Sequence, residues 1–347
     1  MAVDYGRIVL EVEVLYPRWI YVEYDVCVIG DLVVDYIVRV ERLPLNPNEC
    51  QITSSAFKFP GGSANFLITA SRLDLKVNVV DVVGDDENGK IILDILGSEG
   101  VDLRGVKVVK NARTTQVIIL VDGEGNHAFI GVIGVRLKPE IVDSDLIVKS
   151  KYLYVSCYSM MSPSEIEATL NAINTAYENN VRIFFDPGPL HRTLPRNILR
   201  EVISKSYITS LNSSEALGIT GVKTVEDAAI TLKNMGARIV VVKMGEYGAL
   251  LLHNSRLERV ESIEKIKAAS TIGAGDCFNA GLICGLVKGL NLREAVLLAN
   301  IVGAVKVKKW RQSDIMPSKD DVVRYLLKLR RYDILNKLGW INSRKHN

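Results

Sequence analysis

The chain has 347 residues, 48% hydrophobic and 24% charged, a globular profile with room for one large α/β domain or two small ones. Its net charge of +3 is too near neutral to argue for a nucleic-acid partner. No apolar run reaches the roughly 18 residues needed to cross a bilayer, and the acidic start (Asp4, Glu11, Glu13) carries no signal-peptide pattern, so a cytoplasmic protein away from membranes is expected.

Residues 1–24 alternate (Ile8, Leu10, Val12, Val14) and read as an N-terminal extension ahead of a main domain over 25–320. Segments 37–58 and 113–130 show strand-like alternation and turn residues without a helix; Thr115–Val121, a turn at 122–126 and His127–Ile130 form a hairpin pattern. From about residue 140 strands and helices alternate. Strands are predicted at Tyr152–Val155, Val181–Asp186, 206–211 and 238–243. Helices are predicted at 163–179, 195–205, 213–218, 224–235, 274–288 and 291–308. Runs such as Ile239-Val240-Val241-Val242 are continuously apolar, as in strands covered on both faces of a parallel sheet. This alternation implies a doubly wound, mostly parallel α/β core flanked by helices, with ligands outside the C-terminal strand ends. Residues 321–347 read as a basic, solvated helix with a polar tail. Five scattered cysteines, with no C-x-x-C pair, read as reduced and mostly buried thiols, and four unclustered histidines make a metal cluster improbable.

Residues 270–281, Ser-Thr-Ile-Gly-Ala-Gly-Asp-Cys-Phe-Asn-Ala-Gly, are the most informative stretch. Small residues Gly273, Ala274 and Gly275 open an apolar helical run, which leaves backbone N–H groups unpaired at a helix start, a place suited to phosphate. Asp276 lies in the first turn. A carboxylate beside an anion hole suggests a base that deprotonates a hydroxyl while amides hold the transferred phosphoryl. An ordinary Gly-rich turn with an Asp near its cap has the same sequence.

Other segments narrow the choice. Gly30-Asp31-Leu32-Val33-Val34-Asp35, Pro60-Gly61-Gly62-Ser63-Ala64-Asn65, Val83-Gly84-Asp85-Asp86-Glu87-Asn88-Gly89, Asn212-Ser213-Ser214-Glu215, Val242-Lys243-Met244-Gly245-Glu246-Tyr247-Gly248 and the Gly-Ala-Gly-Asp turn stand in this order over residues 25–317. Together they resemble the signatures of the PfkB carbohydrate kinase, or ribokinase-like, family, with some similarity to its archaeal nucleoside kinases. The resemblance implies a ribokinase-like fold in which 37–58 and 113–130 build a small β-sheet lid. Such lids in relatives often pair between subunits, which leaves a homodimer open.

The resemblance also implies Mg²⁺-dependent transfer of the γ-phosphate of ATP to a primary hydroxyl of a sugar or nucleoside, a phosphotransferase reaction with an alcohol acceptor. Asp276 would be the base, and Gly273, Ala274 and Gly275 the anion hole. Asp35, Gly61, Gly62 and Asn65 would meet the acceptor. Lys243, Gly245 and Asn300 would line the nucleotide site, and Asn212 and Glu215 would organise Mg²⁺, mostly through water. One acidic residue is chemically enough for that ion, although an Asn capping a helix with an early Glu reads the same way.

The chain departs from the family in two places. Only Ser63 and Ala64 separate Gly62 from Asn65, one residue fewer than usual. The second signature begins with Ser270 where relatives often carry an Asp that helps bind a monovalent cation, and Arg311 falls near a usual glycine. Arg311, or Lys306 or Lys308, is therefore expected to replace that ion, so that no monovalent cation is required. The acceptor stays open between nucleoside, free sugar or sugar acid, and sugar phosphate; ADP as donor and a catalytically weak nucleotide- or sugar-binding regulatory protein are the alternatives. A dehydrogenase is excluded, because no G-x-G-x-x-G follows the first strand.

Overall fold

The computed structural model describes residues 22–263, 271–309 and 314–341. The expectations for 1–21, Ser270, Arg311 and 342–347 therefore lie outside the described residues. In chain order the first half contains β1 (Tyr24–Ile29), β2 (Leu32–Arg39), β3 (Ala56–Gly62), α1 (Ala64–Arg72), β4 (Val77–Gly84), α2 (Glu87–Ser98), β5 (Val106–Val109), β6 (Gln116–Val121), β7 (His127–Val132), α3 (Ser144–Val148), β8 (Ser150–Ser156) and α4 (Pro163–Glu178). The second half contains β9 (Arg182–Asp186), α5 (Arg196–Lys205), β10 (Ile208–Asn212), α6 (Ser213–Thr220), α7 (Val225–Asn234), β11 (Ile239–Lys243), β12 (Ala249–His253), β13 (Arg256–Val260), α8 (Ala274–Val287), α9 (Leu292–Lys309), α10 (Lys319–Lys328) and α11 (Tyr332–Leu338).

The large sheet has the order β13-β12-β11-β10-β9-β8-β1-β4-β5, parallel from β11 through to β5. Successive strand residues face opposite ways. Val26, Val28, Ile239 and Val241 pack on one face with α1, α8 and α9, and Cys27, Ile29, Val240 and Val242 pack on the other with α4 to α7. Each such Val or Ile withdraws enough surface to stabilise the fold by about 1.5–3 kcal/mol relative to exposure. This two-sided burial is why the strands read as unbroken apolar runs. The strand order reverses between β1 and β8, which places a crevice at their C-terminal ends.

The small sheet has the order β3-β2-β6-β7. Its first two strands begin at Leu32 and end at Gly62, so much of the stretch expected as lid, residues 40–55, is the connection between β2 and β3. Val34, Ile37, Ile119 and Val121 face the core, whereas all six residues of β7 are exposed. Lid and core are joined directly. Gly30 and Asp31, both left-handed at φ 73° and 70°, separate β1 from β2. The return crossing lies beside them, with the Ser63 N–H donating to the Asp31 carbonyl (2.9 Å) and its hydroxyl to the Gly30 carbonyl (2.8 Å).

Two features depart from the sequence reading. An antiparallel hairpin, β12–β13, turning on Asn254 and Ser255 (φ 47° and 61°), ends the large sheet where the sequence reading placed no element. The described C-terminal region is two helices broken at Arg330 (φ 54°), and each docks one face rather than being solvated all round: Val322, Leu326, Ile334 and Leu335 are fully buried in the core. Its many charges mask a narrow apolar stripe at helical spacing.

Candidate active site

The C-terminal ends of β1, β8, β9, β10 and β11 converge with the start of α8 on one cavity of about 500 Å³. Asp31, Asp186, Glu215, Lys243 and Asp276 all lie on its wall.

The α8 turn is built as the sequence suggests. Gly273 is the residue before the helix, at φ 70°, which disfavours any side chain; a Cβ there would also stand 3.1 Å from the Asn65 amide carbon and 3.2 Å from Lys306 Cε. The Ala274 N–H donates to the Thr271 carbonyl (3.1 Å), so the amides of Gly275 and Asp276, in the first helical turn, are the ones that precede the helix's own bonding. Asp276 is partly buried at this point. Burial and the nearby Asp186 carboxylate push its pKa up to about 7, against the opposing pull of Lys243, Lys306 and a hydrogen bond from Asn65.

Beneath the turn runs a polar network. Lys243, at the end of β11, donates to Asp186 Oδ2 (2.8 Å), and Asn279 of α8 donates to the same oxygen (2.5 Å) while accepting from the Ser210 hydroxyl (2.7 Å). Burial pulls the Lys243 ammonium down, but Asp186 and Glu215 outweigh it and hold it above its ordinary value. Its Nζ lies 3.4 Å from where a Cβ on Gly275 would stand, which puts a positive charge beside the helix start.

Asn212 and Glu215 form a reciprocal cap at the start of α6. The Glu215 N–H donates to Asn212 Oδ1 (2.9 Å), and Glu215 receives the Asn212 N–H on Oε2 (2.8 Å) and its amide on Oε1 (2.7 Å). The capping reading is thus realised, and the pair still faces the cavity. Burial and Asp186 raise the Glu215 pKa, with Lys243 opposing. Among the described residues no three His, Cys, Asp or Glu side chains are grouped to cage a metal. A Mg²⁺ that keeps several waters and leans on substrate phosphates fits Glu215 with Asn212.

Gly245 and Asn300 also line the cavity, and the Asn300 amide reaches the Val260 and Glu261 carbonyls (3.2 and 3.3 Å), tying α9 to the end of β13. Gly62 is on the wall, but Asp35, Gly61 and Asn65 are not. Asp35 is buried behind the Gly61 backbone: a Cβ on Gly61 would come within 2.2 Å of its carboxyl oxygens, so only glycine fits. Burial and Asp276 push the Asp35 pKa up to about 7, with Lys306 opposing. Asn65 turns toward Asp276.

The sequence reading did not single out Asp31, Asp186 or Asn279 as site residues. Asp31 stands next to a glycine at a strand end, a visible hint, but its left-handed backbone is not visible in the sequence; burial, then Asp81 and Asp276, raise its pKa well above the usual carboxylate range. Asp186 ends a predicted strand at the cavity, which was a usable signal. Of the cations expected behind the turn, Lys306 is there, while Lys308 packs on the Tyr325 ring (4.9 Å). Four of the five cysteines are buried and Cys50 is exposed.

Comparison with known proteins gives the family. The family model described as pfkB family carbohydrate kinase matches residues 24–319. An ATP-dependent ribose-1-phosphate kinase of Halopiger xanaduensis is 29% identical over 294 residues, covering 84% of this chain and 94% of that protein. Mouse ribokinase is 28% identical over 309 residues, covering 86% and 93%. The structure of Arabidopsis thaliana ribokinase complexed with ribose and ATP superposes with a TM-score of 0.74 at 24% identity, covering 87% of this chain and 98% of that one, a likeness of fold. The chain belongs to the pfkB family of carbohydrate kinases, phosphotransferases whose acceptor is an alcohol group.

Proposed function

We propose that the chain transfers the γ-phosphoryl group of ATP to a primary hydroxyl of a sugar or nucleoside, with Asp276 as the base. The observation that carries this is the placement of a partly buried carboxylate, poised at about 7, in the first turn of α8 and facing the same cavity as Lys243 and Glu215. A base works best when its pKa lies near the operating pH. Asp276 takes the hydroxyl proton, the acceptor oxygen bonds to the γ-phosphorus, and the bond to the β-phosphate oxygen breaks, releasing ADP. The amides of the Gly273-Ala274-Gly275-Asp276 turn and the Lys243 ammonium receive the charge on the transferred group. Glu215 and Asn212 would hold Mg²⁺, which neutralises the donor phosphates when bound. Gly245 and Asn300 serve the nucleotide, and Asp35, Gly61, Gly62 and Asn65 the acceptor once the lid admits it. The reaction needs no added monovalent cation, because an ammonium already lies behind the turn.

A second reading keeps the site and changes the acceptor to a sugar phosphate, favoured by the similarity to a ribose-1-phosphate kinase. The outer lid strand supports a homodimer: Phe129, Ile130 and Val132 are about half exposed on β7, which among the described residues ends the sheet. No helix among the described residues is long and apolar enough to cross a membrane, and a small-molecule kinase with free cysteines fits a cytoplasmic setting.

The test is nucleotide turnover by the purified chain with Mg²⁺, crossing ATP and ADP against ribose, ribose 1-phosphate, fructose, 2-keto-3-deoxygluconate, adenosine, cytidine, inosine and guanosine. Turnover with one acceptor class and ATP is expected. Tight ATP binding with no turnover on any of them would replace this reading with a binding protein.

A further inference from the structure

Lys306 projects from α9 into the interior and is only 2% exposed, among the largest fully buried side chains of the molecule. Its Nζ donates to the Ile315 carbonyl (3.2 Å) and lies 3.4 Å from Met316 Sδ. That carbonyl is held in place. Arg72, in the last turn of α1, donates to both Asp314 oxygens (2.9 and 3.0 Å) and to the Met316 carbonyl (3.2 Å), and Lys309 reaches Asp314 (3.3 Å). The Lys306 stem passes under Gly273, with Cε 3.2 Å from the position a Cβ would take there. Two ammonium-bearing side chains therefore bracket the turn. Lys243 stands beside Gly275 on the cavity wall, and Lys306 stands behind Gly273 inside the protein.

Burial disfavours a charged ammonium and lowers the Lys306 pKa, while Cys277, Asp276, Asp35 and Asp314 act to keep the proton on. An ammonium held in such a place by backbone oxygen acts at short range in a medium that screens poorly. It also needs no reorientation as charge develops, which is the condition under which a fixed charge helps a reaction most. We propose that Lys306 is an internal fixed cation that positions and polarises the Gly273–Asp276 turn from behind. It is a positioning residue, since it touches neither substrate nor reacting atoms, and its role rests on reading the turn as the phosphoryl site.

The full chain would be assayed with its active acceptor in sodium, potassium, ammonium and methylammonium chlorides at constant ionic strength. The wild type should turn over equally in all four. Lys306→Met should keep its melting temperature and ATP affinity but lose about 10²-fold in kcat with KM little changed, the scale of one lost charge-stabilising donor. Lys306→Arg should retain more activity than Lys306→Met, and the cavity left by Lys306→Ala should let potassium, ammonium or methylammonium restore turnover that sodium does not. Wild-type turnover with Lys306→Met within threefold of it overturns the inference alone. So does a loss in every variant that accompanies lost folding and shows no cation rescue, because that assigns Lys306 to core packing. No wild-type turnover with any acceptor overturns the phosphoryl-site reading and this inference with it.

Discussion

The two halves of the cavity are built to different rules. On the donor side, Asp276, Lys243, Asp186 and Asn279 are fixed to one another by short hydrogen bonds or close charges within the parallel sheet and α8. On the lid side, β7 is exposed at every position, and its sheet meets the core through chain connections and the inner faces of β2 and β6. Chemistry common to any alcohol acceptor is invested in the rigid half, and the choice of acceptor falls to the half with fewer constraints. Loops and edges set on a rigid scaffold are where binding selectivity commonly resides.

The sharpest way to break this contrast is Asp276→Asn. Its kcat should fall by about 10²–10⁴-fold, the range for a lost general base, while ATP binding persists. The same change should stabilise the fold at high pH. An unfolded Asp titrates near 4, and the folded Asp276 near 7. With the folded value raised, the stabilising contribution is present below pH ~4 and is lost as pH rises through ~7. The Asn variant should therefore melt higher than wild type at pH 8, by a margin on the order of 1–3 kcal/mol, and the gap should close toward pH 5. An equal gap at both pH values would remove Asp276 from the list of strained groups.

A smaller effect is expected from Lys243→Met. Removing a cation that pulls the Asp276 pKa down must raise it further, so the acid limb of kcat/KM, centred near pH 7 in the wild type, should move to higher pH with a loss of about 10-fold at neutrality. An unmoved limb with weaker nucleotide binding would make Lys243 a simple phosphate contact. The smallest effect should come from the lid. Ile130→Asp is expected to leave folded-monomer stability within about 0.5 kcal/mol and, if lid edges pair between copies, to turn a dimer into a monomer by light scattering. A wild type that is already monomeric would end the dimer reading.

The same contrast explains what could be read from the sequence. The parallel core was legible because burial on both faces forces uninterrupted apolar runs, and β9, β10 and β11 fall within a residue or two of their expected bounds. The Asn212–Glu215 pair was legible because a reciprocal cap is written within four residues. Asp186 was visible as a residue but not as a neighbour of the turn, since its proximity is made by adjacent strands, and Lys306 was one of three cations expected behind the turn until α9 crossing behind α8 chose it. The β12–β13 hairpin was missed because Leu250, Leu251 and Leu252 run apolar without alternation, buried on both faces, and so carry no period of two. The C-terminal helices misled for the opposite reason: lysines and arginines outnumber the few residues that anchor them.

The junction at Gly30-Asp31 has a mechanical consequence. Strand β2 leaves it as eight residues of continuous strand, about 26 Å at the usual rise. Its first residues pack into the core, and Asp31 lies both at the junction and on the cavity wall. The same residue thus links the rigid strand to the small sheet and presents a carboxylate to the cavity, so a change in the tilt of that sheet would be felt first at Asp31.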